Sequence, residues 1–332
     1  MLKTQKTKLA RVGLLALMVV TMLTPLAYSF PIFGTLGQLG VTEYPEAWHN
    51  VNEYLNKDKK DFNVLFLPWH QYMDFNWLPN REKRLGNPAR MFFDKPLIQG
   101  DNVEMPGLYS QSTNQVSKYI EFLLSKGDSV DNLGELLAPL NVKYVILVSD
   151  ADYKAYDFLY RQIDLKIVLQ KPGITLIINE HPVARAYAVD DVVHINSLEE
   201  YVQYSKTQDV MEHLYVFMNA PGEEGLSAPM EELSSVKMKE IQYLVSGTSD
   251  KYTIFALPQN VNMASWRYND EKPSLLNLGF MPAFTSATAG GDIIYTLFYQ
   301  VYLPGYIFSA LALVFMVYYY TRYSHEKHTI DT

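Results

Sequence analysis

The chain has 332 residues, 48% hydrophobic and 19% charged, with a net charge of −8 and no cysteine. Disulfides, thiolate metal sites and cysteine nucleophiles are therefore excluded, and there is ample apolar surface for a folded core. Four of the basic residues (Lys3, Lys6, Lys8, Arg11) fall in the first eleven positions, so the rest carries −12 and has no basic stripe for nucleic acid.

The elements follow in chain order. Val12 to Phe30 holds no charge, and its nineteen residues match the hydrocarbon thickness of a bilayer. We read it as an uncleaved anchor. The rival is a signal peptide, for which Ala27-Tyr28-Ser29 would be the small-x-small site. "EYPEAWHNVNEYL" predicts a helix with Trp48, Val51 and Leu55 on one face. "NVLFLP" (63–68) predicts a buried strand. Positions 80–113, rich in Pro, Gly and Asn, predict a long irregular loop. "QVSKYIEFLLSK" and "NLGELLAPLN" predict helices, and "VKYVILV" (142–148) a second buried strand. "DYKAYDFLYRQI" predicts a helix, and "LKIVLQKPGITLIINE" a hairpin turning at Pro-Gly. Positions 198–218 predict helix, and the acidic segment 223–232 a solvated linker. Short strands broken by Gly, Pro and Asn then predict a small β-sandwich. Tyr302 to Tyr320 is an uncharged second membrane segment with tyrosines at both ends and Arg322 and Lys327 beyond.

The expected fold class is thus an α/β outer domain followed by a small β-sandwich, flanked by an N-terminal and a C-terminal transmembrane helix. The expected boundaries are 1–30 (anchor or signal peptide), 31–220 (α/β), 221–300 (sandwich), 301–321 (membrane helix) and 322–332 (tail). Basic residues outside both apolar segments predict cytoplasmic termini and an extracellular centre at the cell membrane. The centre holds no Asn-x-Ser/Thr sequon.

Three constellations offer chemistry. Trp69, Tyr72 and Trp77 can stack on sugar rings, with His70, Asp74 and Asn76 binding hydroxyls. The competing reading packs the same aromatics under the 63–68 strand. Asp150-Ala151-Asp152 at the end of a buried strand has the layout of an A-type sugar transferase, where paired carboxylates hold a divalent cation. Its competitor is a helix cap. His70 and Asp74 can share a metal only on a helix, and the seven histidines are scattered. No Gly-x-Ser-x-Gly elbow supports a serine triad.

The order of segments carries a resemblance. "LNVKYVIL" precedes a hairpin ending "INEHPVARAYAV", then "ASWRYNDEKPSLLNLGFMPAF", "GGDIIYTLFY" and a helix beginning at Pro304. This resembles the extracytoplasmic C-terminal region of integral-membrane glycosyltransferases of the C-type superfamily. "EYPEAW" and "FLPWHQY" are similar to archaeal versions, and a bacterial multi-spanning family linked to teichoic-acid glycosylation is a more distant likeness. The resemblance implies that Asn141 to Tyr144 open a core strand. It further implies that Asn179 ends a hairpin strand, Arg185 begins the next, and Trp266 marks a sandwich strand. It also places the catalytic carboxylate in an outer loop between N-terminal membrane helices, whereas the first outer acids here are Glu43 and Glu46. The implied role is a membrane-anchored domain that binds or orients a glycan acceptor or a polyprenyl-linked sugar. It would act beside a separate multi-spanning core and would not be catalytic alone. The alternatives are a stand-alone A-type transferase using Asp150 and Asp152, and a structural envelope protein.

Overall fold

The computed structural model describes residues 2–29, 43–78, 85–105, 108–110, 112–217, 230–239, 241–246, 251–256, 265–285 and 290–328. It is a mixed α/β structure with several sheets. The central five-stranded sheet runs in the order Leu97–Ile98, Asn63–Leu67, Val142–Val148, Ile174–Asn179, Leu165–Lys171. The first three strands are parallel, with Val64 opposite Leu97 and Phe66 opposite Ile146. The last two form an antiparallel hairpin. Every residue of Asn63–Leu67 is buried, as expected of a parallel strand covered on both faces. Gly173, at φ 81°, takes the left-handed position of the Pro-Gly hairpin turn.

Polar residues pin the strand starts. Asn141 is fully buried and left-handed at φ 55°; its amide Nδ2 donates to the Asp61 carbonyl, and its own carbonyl accepts from Asn63. Asn179 donates to the carbonyls of Gly134 and Val142, tying the hairpin to a helix end and to the neighbouring strand. Helices Glu46–Lys57 and Gln115–Lys126 bury Trp48, Val51 and Leu55, and Val116, Ile120 and Leu123.

Two antiparallel sheets follow. One runs Glu231–Leu233, Ala186–Val189, Tyr252–Phe255, Met281–Thr285, Leu275–Asn277; the other runs Ser235–Lys239, Gln242–Val245, Gly291–Tyr295, Trp266–Tyr268. Ala186, Ala188, Phe255 and Phe284 of the first face Tyr243, Trp266, Tyr268 and Ile293 of the second across one buried cluster. The alternate residues Tyr187, Val189, Ile254 and Ala283 belong instead to the large α/β core. With period-2 geometry, one sheet therefore walls two cores.

Several expectations change. Ala186–Val189 is an inner strand of the first of these sheets, so the segment 221–300 does not build them alone. Within 198–218 only Leu198–Tyr204 is α-helical; His213–Phe217 is a strand, parallel to Asp191–Ile195, because its aromatic and β-branched side chains suit a half-buried pleat. In the 80–113 stretch, Leu97–Ile98 joins the central sheet and Leu85–Gly86 pairs with Tyr72–Met73. Tyr153–Arg161 is a 3₁₀ helix. Residues 218–229, 240, 247–250, 257–264 and 286–289 lie outside the described residues, and with them most of the expected acidic linker.

By length and composition, one helix among the described residues can cross a membrane, Phe298–Tyr319. The N-terminal helix Leu2–Tyr28 contains a shorter apolar stretch, Leu15–Tyr28.

Candidate functional site

Open α/β sheets place ligands beyond the carboxyl ends of their parallel strands. Three loops leave that edge here: 68–78 after Asn63–Leu67, 99–102 after Leu97–Ile98, and 149–152 after Val142–Val148. Their meeting is tight. A Cβ on Gly100 would lie 2.6 Å from the His70 nitrogen, so the two backbones approach as only glycine permits.

Trp69 is 5% exposed and belongs to the α/β core. Its backbone N–H donates to the Tyr156 hydroxyl at 2.9 Å, and its indole N–H to Glu121 at 3.2 Å. Asn102 donates to the same Glu121 oxygen. Trp69 thus holds the loop base and offers no open ring face to a sugar. His70, by contrast, is partly exposed, with its Nε2 2.8 Å from the Asp152 carboxylate. Tyr72 and Trp77 are partly exposed, Asp74 and Asn76 exposed, and Met73 and Phe75 between them buried. Trp77 leans edge-on against Trp48 at 5.9 Å and contacts Phe75 at 5.4 Å.

The structure joins two constellations that are separate in the sequence. Besides the His70–Asp152 contact, Asn76 donates its backbone N–H to Asp150 at 2.7 Å and its side-chain N–H to the Ser149 carbonyl at 3.0 Å. Asp150 is 4% exposed. Burial pushes its carboxyl above the usual carboxylate range, against the lowering pull of the Asn76 hydrogen bonds. Asp150 therefore ties one loop to the other, and Asp152 ties that loop to His70. Asp152 precedes the 3₁₀ helix without a side-chain capping bond. Among the described residues, the one group of three His, Asp or Glu side chains placed to share an ion lies elsewhere and includes neither Asp150 nor Asp152.

The supporting residues Glu121, Asn102 and Tyr156 carry no sequence signal, because each reaches the site from a different element. Asn76 stands between Phe75 and Trp77 and is already a candidate hydroxyl partner in the sequence; its ties to Ser149 and Asp150, 73 and 74 positions away, are not readable there.

Because the raised group is an acid, its stabilising effect is complete below the ordinary Asp range and falls as pH rises through the raised folded value. Asp150→Asn keeps an acceptor for Asn76 and removes the buried charge. We expect it to be at least as stable as the parent at pH 7. Asp150→Ala leaves the Asn76 N–H unpaired and costs about 1–3 kcal/mol. Urea unfolding followed by tryptophan fluorescence checks both, and equal losses in the two variants would contradict the assignment.

A separate cleft of about 840 Å³ opens near the amino ends of the same strands. Lys59, Lys60, Lys143, Arg185 and Lys237 line it, with Asp61 among the opposing acids.

Residues 2–249 match the model of a family described as alpha-(1->3)-arabinofuranosyltransferase, N-terminal GT-C domain. No curated protein matches the chain. A cryo-EM structure of the arabinofuranosyltransferase AftD from Mycobacteria aligns at 13% identity and TM-score 0.42, covering 60% of this chain and 18% of that one. A mutant of the same enzyme, in one class, aligns at 9% identity and TM-score 0.42, covering 84% of this chain and 34% of that one. In a second class it aligns at 8% identity and TM-score 0.38, covering 76% and 32%. The chain thus spans between 18% and 34% of these relatives' length. The expected likeness is met at the level of the C-type superfamily, with no archaeal or teichoic-acid assignment attached. By the match over residues 2–249, the chain belongs to the family of the alpha-(1->3)-arabinofuranosyltransferase N-terminal GT-C domain.

Proposed function

We propose that the chain is a membrane-anchored, extracytoplasmic part of a C-type glycosyltransferase system. In this reading it binds or orients a glycan acceptor or a lipid-linked sugar at the carboxyl-end rim. The observation that carries the reading is the junction of three loops there, where His70, Tyr72, Asp74, Asn76 and Trp77 present polar edges and partial ring faces on a buried scaffold. Sugars are held by such mixtures, since ring faces cover apolar C–H surface while carboxylates and amides take hydroxyls.

The family membership supports a membrane setting and a glycan or lipid-linked sugar as ligand, and the family's name makes arabinofuranosyl units the first choice. We assign residues 1–30 and 301–321 to membrane anchoring, 31–220 and 221–300 to the outer body, and 322–332 to a cytoplasmic tail. The resemblance implies a multi-spanning core that supplies the catalytic carboxylate. The cleft lined by Lys59, Lys60 and Lys237 favours a second placement, in which the phosphate of a lipid-linked donor meets those ammonium groups.

Saturation-transfer NMR on the full chain in nanodiscs, with an arabinofuranose oligosaccharide and a glucose oligosaccharide as control, tests the rim. Tyr72→Ala and Asp74→Ala should each weaken arabinoside binding by about tenfold, roughly 1.4 kcal/mol. Lys59→Ala combined with Lys60→Ala should leave it unchanged. Binding that ignores the rim variants, or no binding, removes the reading; loss only in the lysine variant moves the site to the cleft.

A further inference from the structure

Glu135, His181 and Asp209 meet at the opposite edge of the central sheet from the rim. Glu135 lies on helix Leu133–Leu137, His181 two residues beyond strand Ile174–Asn179, and Asp209 on the connection entering the turn Val210–Glu212. One ligand atom from each lies within 4.8 Å of the other two. They border a cavity of about 270 Å³ whose wall also includes Ser205, Lys206 and Thr207.

The hydrogen bonds around the cluster decide what it faces. His181 Nδ1 lies 3.0 Å from the Pro182 carbonyl. A carbonyl only accepts, so Nδ1 carries the proton, and in the neutral ring Nε2 keeps a lone pair. Asp209 Oδ2 lies 3.3 Å from this Nε2. An unprotonated ring nitrogen and a carboxylate oxygen this close are stabilised by a positive centre shared between them: a second proton on the ring, or a cation. A ring whose Nδ1–H is held by a backbone carbonyl is the arrangement that orients metal-binding imidazoles. The spacing also fits, since two ligands on zinc at about 2.0–2.1 Å lie about 3.3 Å apart along a tetrahedral edge.

The carboxylates are held from behind. Asp209 Oδ1 accepts from the Met211 N–H, which leaves Oδ2 toward the histidine. Glu135 accepts from the Val210 N–H through Oε1 and from Asn132 through Oε2. Asn179 accepts from the His181 backbone N–H, fixing where the ring starts. All three ligands are thus preset by backbone and amide contacts.

We propose that Glu135, His181 and Asp209 form a site for a divalent transition cation of the zinc type, with one imidazole, two carboxylates and an outer position open to water in the cavity. One imidazole with two carboxylates suits zinc or manganese better than calcium or magnesium, which favour oxygen-only shells. The ion would cross-link a helix, the hairpin exit and the connection into the His213–Phe217 strand, all parts of one core wall.

The test uses the full chain in detergent, stripped with chelator and titrated with zinc or manganese by calorimetry, with metal content read by mass spectrometry. One equivalent should bind, and the melting temperature should rise with it. His181→Gln and Asp209→Asn should each weaken binding at least tenfold. Asp74→Asn, at the other edge, should not change it. Circular dichroism on each stripped variant confirms folding, and Glu135→Gln, which keeps an acceptor for Val210, is the variant of choice where the others fold poorly. Absence of binding at micromolar free zinc overturns the site and assigns the positive centre to a proton on His181. Binding unchanged by these variants overturns it equally.

Discussion

Replacing Arg185 by Ala lowers the unfolding free energy by about 3–5 kcal/mol. The guanidinium is 2% exposed and reaches four acceptors. Its Nε and one Nη donate to the two oxygens of Asp61 at 3.0 and 2.8 Å. The same Nη also donates to Asn63 Oδ1 at 3.0 Å, and the other Nη to the Ala256 carbonyl at 2.6 Å. Asp61 and Asn63 stand at the start of strand Asn63–Leu67 of the central sheet, whereas Ala256 follows a strand of the sheet shared by both cores. One side chain therefore joins the two sheet systems. Truncation leaves the buried Asn63 amide and Ala256 carbonyl without their donor, and the Asp61 carboxylate, on the cleft wall, without its partner. Arg185→Lys recovers little, because a point charge cannot reproduce the planar fork. Arg185→Met combined with Asp61→Asn should lose less than Arg185→Ala, since no charge is then left unpaired. Guanidinium unfolding of the three variants decides this, and a loss under 1 kcal/mol for Arg185→Ala would refute the role.

That residue also shows how far the sequence could be read. Arg185, Asn179 and Asn141 stand out in the order of motifs, and each proves to be a buried hydrogen-bonding post at a strand end. Their physical job could not be read from spacing, because their partners are distant: Arg185 and Asp61 are 124 positions apart. The long apolar strands Asn63–Leu67 and Val142–Val148 were legible because burial on both faces leaves an unbroken hydrophobic run. The Pro172-Gly173 hairpin was legible from its turn chemistry. Leu97–Ile98 was not, since a two-residue strand set between Pro96 and Gln99-Gly100 carries no periodicity. Ala186–Val189 agrees with the strand that the resemblance opens at Arg185, but its sheet is not readable from the residues. Both its faces enter a core, so no polar alternation marks it as a sheet strand of the later part of the chain.

The candidate sites divide in the same way. Aromatic density drew attention to positions 66–77, but composition cannot separate a ring that packs from a ring that binds. Burial separates Trp69 from Tyr72 and Trp77. The contact of His70 with Asp152 spans 82 positions, and the cluster of Glu135, His181 and Asp209 is drawn from three elements. Neither could be found without the sheet that folds them together.

Trp48→Ala costs about 3–5 kcal/mol, as large aromatic truncations in a packed core do. Trp48 is 2% exposed and sits among five rings, at 5.7 Å from Phe66, 6.0 Å from Phe75, 5.9 Å from Trp77 and 5.4 Å from both Phe92 and Phe93. Phe75 and Trp77 belong to the loop that carries the rim, and Phe66 to the strand that feeds it. Trp48 is thus the support on which the 72–77 segment rests. Under the proposed function its removal should weaken arabinoside binding as well as stability, whereas Trp48→Phe, which keeps a ring in the cluster, should lose roughly half as much stability. The two losses report different things. Stability lost with affinity intact at a temperature where the variant remains folded would mean that the rim is held by its contacts with Asp150, Asp152, Gly100 and Tyr156 without the aromatic cluster. Loss of both ties the ligand's orientation to the aromatic cluster, and makes the helix Glu46–Lys57 part of the binding machinery without touching the sugar.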